Sequence, residues 1–250
     1  MGRSAALLVL FGLLFAYDEV APHLWREGVW WDVAWIAFVL MPATFGLVLV
    51  ALPLAGKRWL ELAAVGVAFG VLAGVLTAAD WDVPANFARL AAATLIAWAF
   101  LRAFSAVTEL VIVASIIPLV DIYSVWRGPT KTITTRHPHV FTVLSYAFPV
   151  PGRHAAANLG VPDLLFFALF LAAAARFNLR VAWTWAGLVA GLGATIALTV
   201  WWNLSGLPAL PGISLGFLLP NADLLWSRLR REPRLRDGAD VPVGGAPDDG

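Results

Sequence analysis

Long apolar stretches recur along this chain, and their length constrains its fold more than any other feature of the sequence. A helix needs about 20 apolar residues to cross the roughly 30 Å hydrocarbon core of a bilayer. We predict eight such spans, at residues 5–17, 33–54, 59–79, 85–102, 105–126, 159–175, 181–202 and 207–226. The first span is short, but no small-x-small cleavage site precedes Asp18, so we expect a retained helix rather than a signal peptide.

Composition agrees with a membrane location. Hydrophobic residues make up 60% of the 250 residues and charged residues 13%, whereas a soluble domain carries about 25% charged residues. The 13 tryptophans lie mostly at the ends of predicted spans, where amphipathic rings anchor at lipid headgroups. A net charge of +1 argues against a nucleic-acid-binding module, and the absence of cysteine excludes disulfides and thiolate metal sites. We therefore predict an all-α, polytopic membrane helix bundle.

Lys and Arg concentrate in the cytoplasmic loops of membrane proteins, so their distribution predicts the orientation of the chain. With the N-terminus in the cytoplasm, more basic residues fall on the inner side than on the outer side. The inner set comprises Arg3, Lys57, Arg58, Arg102, Arg176, Arg180, Arg228, Arg230, Arg231, Arg234 and Arg236, and the outer set Arg26, Arg127, Lys131, Arg136 and Arg153. Arg far outnumbers Lys, which is typical of a GC-rich prokaryotic genome. We expect a multi-pass protein of a prokaryotic cell membrane with both termini in the cytoplasm.

The same pattern divides the chain into three parts. Residues 1–104 hold about four N-terminal spans, residues 105–226 hold about four further spans and the loop 127–158, and residues 227–250 are predicted to be a disordered cytoplasmic tail. The loop contains an apolar run, residues 140–150, that we expect to form an interfacial segment or a short strand. Its histidines, His137, His139 and His154, lack a further ligand at a metal-site spacing. We predict neither a metal site nor a cofactor.

Two acidic residues, Asp121 and Asp163, lie inside predicted spans rather than at their ends. Asp121 is six residues before Arg127, and Asp163 is five residues after Asn158, so at 1.5 Å per residue both lie roughly 8 Å below the same membrane face. They belong to consecutive antiparallel spans, so their side chains can meet. A carboxyl group in hydrocarbon costs about 2.5–3.5 kcal/mol to insert and is a candidate functional group. Two carboxyls in contact share a proton and can act as general base and general acid on an amide.

The other acidic residues and the glycine rows of the spans have simpler explanations. Glu61 and Asp223 lie near span ends. Glu109 projects from nearly the same helix face as Arg102, and we expect it to be paired or to snorkel to the interface. Small residues spaced four apart allow helices to approach closely. We expect only packing from the two rows, which are Gly66, Gly70 and Gly74 on one span and Gly187 and Gly191 on another.

A third unusual feature lies at the depth of the two aspartates. The last predicted span opens with two prolines and two glycines between residues 206 and 212. Such a start leaves backbone groups unpaired, which a membrane protein tolerates only where the backbone is buried in protein or lines a wet cavity. Counting the spans places this start on the same membrane face as Asp121 and Asp163.

Three motifs at these positions resemble those of the presenilin and signal-peptide-peptidase family of intramembrane aspartyl proteases. DIYSV at residues 121–125 is similar to the Asp-x-x-Ser-Val stretch of archaeal members, although Val120 stands where the family has tyrosine. GVPD at residues 160–163 resembles the Gly-x-Gly-Asp motif, with Pro162 in place of the second glycine. PAL at residues 208–210 matches the Pro-Ala-Leu motif. The resemblance covers residues 105–219, about half of the chain.

The resemblance implies a presenilin-like core that cleaves peptide bonds within transmembrane helices without a cofactor. Asp121 and Asp163 are then the catalytic pair. The implied residues that support the active site or bind substrate are Gly160, Pro162, Tyr123, Pro208, Ala209 and Leu210. Proline lacks a backbone N–H and suits the first turn of a helix, so Pro162 is compatible with activity. We also expect the apolar run 140–150 to pair with an unwound substrate strand, because exposed strand edges accept extended peptides.

Other functions remain open at this point. The same carboxyls would serve as a relay in a proton-coupled transporter or channel, although the inverted repeats common in transporters are not found. A catalytically inactive presenilin-like scaffold would keep the fold and lose activity through Pro162. Prepilin peptidases also use a Gly-x-Gly-Asp aspartate, but they lack the Pro-Ala-Leu element.

Overall fold

The computed structural model describes residues 2–127, 145–154, 156–204 and 206–230. These residues form eight long helical segments and one β-hairpin, so the predicted helical bundle is confirmed apart from two short strands. In chain order the elements are α1 (Arg3–Val20), α2 (Val29–Gly56), α3 (Trp59–Ala78), α4 (Asp82–Phe100), α5 (Val107–Arg127), β1 (Ser145–Pro149), β2 (Ala156–Gly160), α6 (Val161–Arg176), α7 (Val181–Trp201) and α8 (Leu210–Leu229). His137, His139, most of the predicted tail and the first half of the apolar run 140–150 lie outside the described residues.

Six of the helical segments are long and apolar enough to cross a membrane, namely α1 with the turn after it, α2, α3, α4, α5 and α7. Their large apolar side chains are widely exposed; Val71 on α3 is 63% exposed and Leu119 on α5 is 67% exposed. Lipid is the solvent that such surfaces require. The chain is therefore a multi-pass membrane helix bundle. Length and composition do not support the predicted count of eight spans. α6 has only 16 residues, and α8 is less apolar than the six segments named above.

Helix α6 lies at the centre of the bundle. Every residue from 167 to 174 is at most 2% exposed, and a helix that is apolar on all sides is buried on all sides. The Phe167 ring stacks on Phe45 of α2 with centroids 3.9 Å apart, and Phe170 stacks on Phe217 of α8 at 4.7 Å. This packing fixes the position of the N-terminus of α6, where Asp163 lies.

Glycines set the close approach of α7 and α8. A Cβ at Gly187 would lie 2.5 Å from the Gly216 carbonyl oxygen, and a Cβ at Gly191 would lie 2.2 Å from the Gly212 carbonyl oxygen. The expectation that this row serves packing is confirmed. In the other row, Gly66 packs against Ile96, whereas a Cβ at Gly74 would meet nothing within 4 Å. The α7–α8 contact holds the start of α8 in place.

The hairpin directly precedes α6. β1 and β2 are antiparallel, with Ser145 opposite Gly160 and Ala147 opposite Asn158. The predicted span 159–175 therefore began two residues too early, because the apolar Leu159 belongs to β2 rather than to the helix. Of the two alternatives for the run 140–150, the strand is confirmed over residues 145–149.

Contacts between the helix connections divide the bundle into two ends. At one end, Arg102 of the α4–α5 connection donates to the carbonyl oxygen of Lys57, and Arg228 of α8 donates to Phe177 after α6. Arg176 of α6 joins these two sets, because it donates to the carbonyl oxygen of Leu101. At the other end, the N–H of Gly152 in the hairpin turn donates to Ala21 after α1 at 2.8 Å.

Candidate functional site

Asp121 lies on α5, where it meets the start of α8. Its Oδ2 accepts a hydrogen bond from the backbone N–H of Leu210 at 3.0 Å, and the backbone of Ala209 also contacts the carboxyl. The first N–H groups of a helix have no partner within the helix. A carboxylate satisfies them and interacts favourably with the positive end of the helix dipole. The Pro-Ala-Leu segment thus contacts an aspartate 89 positions earlier in the chain.

Asp163 lies in the first turn of α6, immediately after the hairpin. Gly160 occupies the N-cap position with φ −62° and ψ 147°. The backbone of Gly160 makes a hydrogen bond to the Asp163 carboxyl. A Cβ at Gly160 would lie 3.2 Å from Asp163 Oδ2, so glycine leaves room for the carboxyl at this position. Pro162 lies in the same first turn, where a missing N–H costs no hydrogen bond within the helix.

The two carboxyls belong to one electrostatic environment. The negative charge of Asp121 acts on Asp163, and both residues are half-buried. Among the ion pairs of the described part of the chain, none involves either aspartate. The site therefore comprises two carboxyls that interact electrostatically, each accepting hydrogen bonds from backbone N–H groups. Two carboxyls that come into contact share one proton.

The structure does not bring every predicted support residue to this pair. The Asp163 carboxyl is contacted by Gly160, and the Asp121 carboxyl by Ala209 and Leu210. Pro208 directly precedes Ala209 in the chain. Tyr123 is 65% exposed. It follows Asp121 by two residues, which is more than half a turn around a helix, so it lies on the outer face of α5 rather than beside the carboxyls.

The remaining acids of the spans have local partners. Asp223 forms an ion pair with Arg180 at 2.7 Å. Glu109 accepts hydrogen bonds from the N–H and the hydroxyl of Ser105 at 2.9 and 2.7 Å. Glu109 is therefore paired, as one of the two alternatives had it, but its partner is Ser105 rather than Arg102, whose side chain donates to the α2–α3 connection. The described residues contain no group of three or more His, Asp or Glu side chains able to hold a metal ion.

Sequence inspection missed Asn86, a buried polar residue of α4 that contacts the hairpin. Its side chain is hydrogen-bonded to the backbone of Ala147 in β1. The signal was present, since an amide inside an apolar span needs a partner. Asn86 is neutral, so it does not stand out beside the charged residues of the spans.

Comparison with models of protein families, with curated proteins and with solved structures finds no match for this chain. The chemistry available at the site is that of two carboxyl groups in a partly buried setting, one on the apolar helix α5 and one at the start of α6. Support for a particular function comes from this chemistry and from the three motifs that meet there.

Proposed function

We propose that this chain is an intramembrane aspartyl protease, similar to the presenilin and signal-peptide-peptidase family, that hydrolyses peptide bonds within transmembrane helices. One observation supports the proposal most strongly. Motifs far apart in the sequence are linked here, because Leu210 donates a hydrogen bond to Asp121 and the charge of Asp121 acts on Asp163. Packing alone would not require two carboxyls and an irregular helix start at the same place.

The two aspartates have different surroundings, and these surroundings suggest different roles. Two backbone positions, Leu210 and Ala209, donate hydrogen bonds to Asp121, whereas one position, Gly160, donates to Asp163, so the anionic form has more donors at Asp121. Asp121 is then the general base that removes a proton from water while the water oxygen bonds to the scissile carbonyl carbon. Asp163, beside that negative charge, holds the shared proton and delivers it to the carbonyl oxygen. Collapse of the resulting diol breaks the C–N bond as a proton passes to the leaving nitrogen.

We further propose that α6 and α8 also lie in the membrane, which gives eight spans with both termini in the cytoplasm. A helix that is shorter than the hydrocarbon core can still lie in the membrane when other helices enclose it, because its ends then contact protein rather than hydrocarbon. α6 meets this condition along most of its length. The aspartates then lie near the outer face, and the substrates are transmembrane helices of other proteins that reach them through the bilayer.

The hairpin limits where a substrate strand could pair. The outer edge of β1 contacts side chains of α4 and α1, including Asn86 and Tyr17, and Ser145 is fully buried. The expected pairing at the run 140–150 therefore cannot use residues 145–149. In β2, Ala156 and Asn158 are exposed, and this strand ends three residues before Asp163. We propose β2 as the strand that an unwound substrate contacts.

A cleavage assay tests the proposal. The purified protein is reconstituted in liposomes with a single-span helical reporter, and mass spectrometry locates any cut. We expect cleavage within the reporter helix, complete loss of it in Asp121→Asn and in Asp163→Asn, and inhibition by a transition-state analogue of aspartyl proteases. Asp223→Asn is the control, because its carboxyl pairs with Arg180 away from the site. Cleavage that persists in either aspartate variant contradicts the proposal, and proton flux without cleavage by the wild-type protein would point to a relay instead.

A further inference from the structure

We propose that Asn86 is a positioning residue for Asp163, acting through the hairpin. This inference rests on the proposed function, because it assigns Asn86 a part in the same site. Asn86 contacts neither carboxyl of the pair. Its effect would pass through β1, β2 and Gly160, and each of these links is a described contact.

The first link is the pairing between Asn86 and β1. The Nδ2 of Asn86 donates to the carbonyl oxygen of Ala147 at 2.7 Å, and its Oδ1 accepts from the N–H of Ala147 at 2.8 Å. The carboxamide thus occupies the outer edge of β1 as a neighbouring strand would. Antiparallel pairs alternate in the direction of their hydrogen bonds, so the carbonyls of Ser145 and Pro149 also point outward. Each has a donor, Arg89 at 3.3 Å for Ser145 and Tyr17 at 3.4 Å for Pro149.

The second link is the rigidity of Asn86 itself. The residue is 3% exposed, and its side chain also bonds to the carboxyl of Asp18 on α1. Both polar atoms of its side chain therefore have partners on α1 or β1. The rings of Tyr146 and Phe148 in β1 are at most 2% exposed, and Tyr146 packs edge-to-face on Phe87 of α4. Burial also raises the pKa of the Tyr146 hydroxyl, which stays neutral in contact with Thr44.

The third link runs from β1 to the aspartate. Ser145 of β1 lies opposite Gly160 of β2. Gly160 is the N-cap of α6, and its backbone bonds to Asp163. A shift of β1 away from α4 therefore moves the residue that orients the Asp163 carboxyl. A misplacement of about 1 Å at a reacting group costs about 100-fold in rate, so a modest shift suffices to reduce catalysis.

The matched control is Asn221 of α8. This residue is also a fully buried asparagine with three hydrogen bonds, to Thr184, to the carbonyl of Phe217 and from the N–H of Arg180. It lies 11 positions after Leu210, roughly 16 Å along the helix axis. Asn86→Leu and Asn221→Leu remove comparable interactions, but only the first lies next to the hairpin.

A distance measurement tests the inference without depending on proteolysis. The chain has no cysteine, so spin labels at Asn158→Cys on β2 and Trp202→Cys after α7 report the position of the hairpin by pulsed electron paramagnetic resonance. We expect the distance distribution to broaden or shift in Asn86→Leu and to stay as in the parent in Asn221→Leu. An unchanged distribution in Asn86→Leu overturns the inference.

Reporter cleavage gives the catalytic readout, measured per folded protein. We expect kcat to fall about 10- to 100-fold in Asn86→Leu with little change in KM, and to stay within about twofold in Asn221→Leu.

Asn86→Asp is the milder variant if Asn86→Leu does not fold. It keeps the acceptor for the Ala147 N–H but repels the Ala147 carbonyl and Asp18, and the same loss of kcat is expected. Equal kcat losses in the Asn86 and Asn221 variants overturn the positioning role. If Asp121→Asn and Asp163→Asn still cleave, the proposed function fails, whereas the distance measurement still decides what Asn86 does to the hairpin.

Discussion

Backbone N–H groups at the starts of two helices surround the aspartate pair. Those of α8 face Asp121 and that of Gly160, before α6, faces Asp163. Both helices carry proline in the first turn, where it sacrifices no hydrogen bond within the helix. The prolines and glycines that look disruptive in the sequence therefore lie where irregular backbone is useful, because the carboxyls satisfy the free N–H groups.

Gly160 provides a test at the scale of one residue. Its φ of −62° is accessible to alanine, so Gly160→Ala should fold normally. The added Cβ would lie 3.2 Å from Asp163 Oδ2 and should displace the carboxyl by a few tenths of an ångström. We expect reporter cleavage to fall about 10-fold or more with little change in thermal stability.

Gly28 is the control for this substitution. It is also an N-cap, with φ −75° and ψ 155°, and a Cβ there would meet nothing within 4 Å. Gly28→Ala should therefore leave cleavage unchanged. Full activity in Gly160→Ala would show that the carboxyl does not need this space.

The two aspartates could be predicted from the sequence, but Asn86 was not. A charge inside an apolar span is expensive wherever it lies, so Asp121 and Asp163 stand out in a single sequence. Burying the amide of Asn86 costs little free energy once it is hydrogen-bonded. Its partner is the backbone of Ala147, 61 positions away in the chain. Only the folded hairpin reveals that contact.

At the scale of elements, the α7–α8 contact depends on glycine. The carbonyl oxygen of Gly216 lies where a Cβ of Gly187 would be, 2.5 Å away. Backbone cannot yield as a flexible side chain does, so the helices must separate. We expect Gly187→Ala to lower the free energy of unfolding by about 1–3 kcal/mol, measured by thermal or denaturant unfolding in detergent.

Gly74→Ala on α3 is the corresponding control. A Cβ there has free space, and alanine favours a helix over glycine by about 0.5–1 kcal/mol. The two substitutions should therefore have opposite signs. A stability loss of equal size in both variants would mean that close packing of α7 on α8 does not matter.

The hairpin turn is tied to α2 by an ion pair. Arg153 Nη2 lies 3.1 Å from Asp32 Oδ2, and the Asp32 side chain is 8% exposed. Removing one partner of a buried ion pair leaves an unpaired charge and costs about 3–5 kcal/mol. We expect Asp32→Ala to destabilise the protein by about 3 kcal/mol, measured by unfolding in detergent.

The Arg58–Glu61 pair offers a comparison for that value. Its atoms are 3.8 Å apart and its side chains are 80% and 55% exposed, so Glu61→Ala should cost about 1 kcal/mol or less. Similar losses for Asp32→Ala and Glu61→Ala would argue that the hairpin is not held by this contact.

The helices could be predicted from the sequence, but the strand β2 and the burial of α6 could not. The long apolar stretches located the eight helical segments to within a few residues, because the length needed to cross a bilayer is a strong constraint. Five-residue strands leave too weak a pattern to separate from an apolar helix start, so Leu159 was assigned to the span. The central position of α6 was not predicted either, since its burial arises from neighbours distant in sequence.

At the scale of the whole molecule, the helix connections form two groups at opposite ends of the bundle. Trp25 and Trp202, 75% and 57% exposed, belong to the end with the hairpin turn, and Lys57 belongs to the other end. Because the chain has no cysteine, single substitutions to cysteine report sidedness directly. In intact cells, a membrane-impermeant maleimide should label Trp25→Cys and Trp202→Cys, and it should reach Lys57→Cys only after permeabilisation. Labelling of all three from one side would contradict the proposed topology.

The proposed catalysis requires that Asp121 and Asp163 face each other, and a short thiol crosslinker measures this most directly. In the double variant Asp121→Cys with Asp163→Cys, dibromobimane should link α5 to α6, detected as a joined pair of tryptic peptides by mass spectrometry. The control, Tyr123→Cys with Asp163→Cys, places one thiol on the exposed face of α5 and should remain unlinked. We predict a link in the aspartate pair alone; equal linking in both variants, or none in the aspartate pair, would contradict a shared two-carboxyl site.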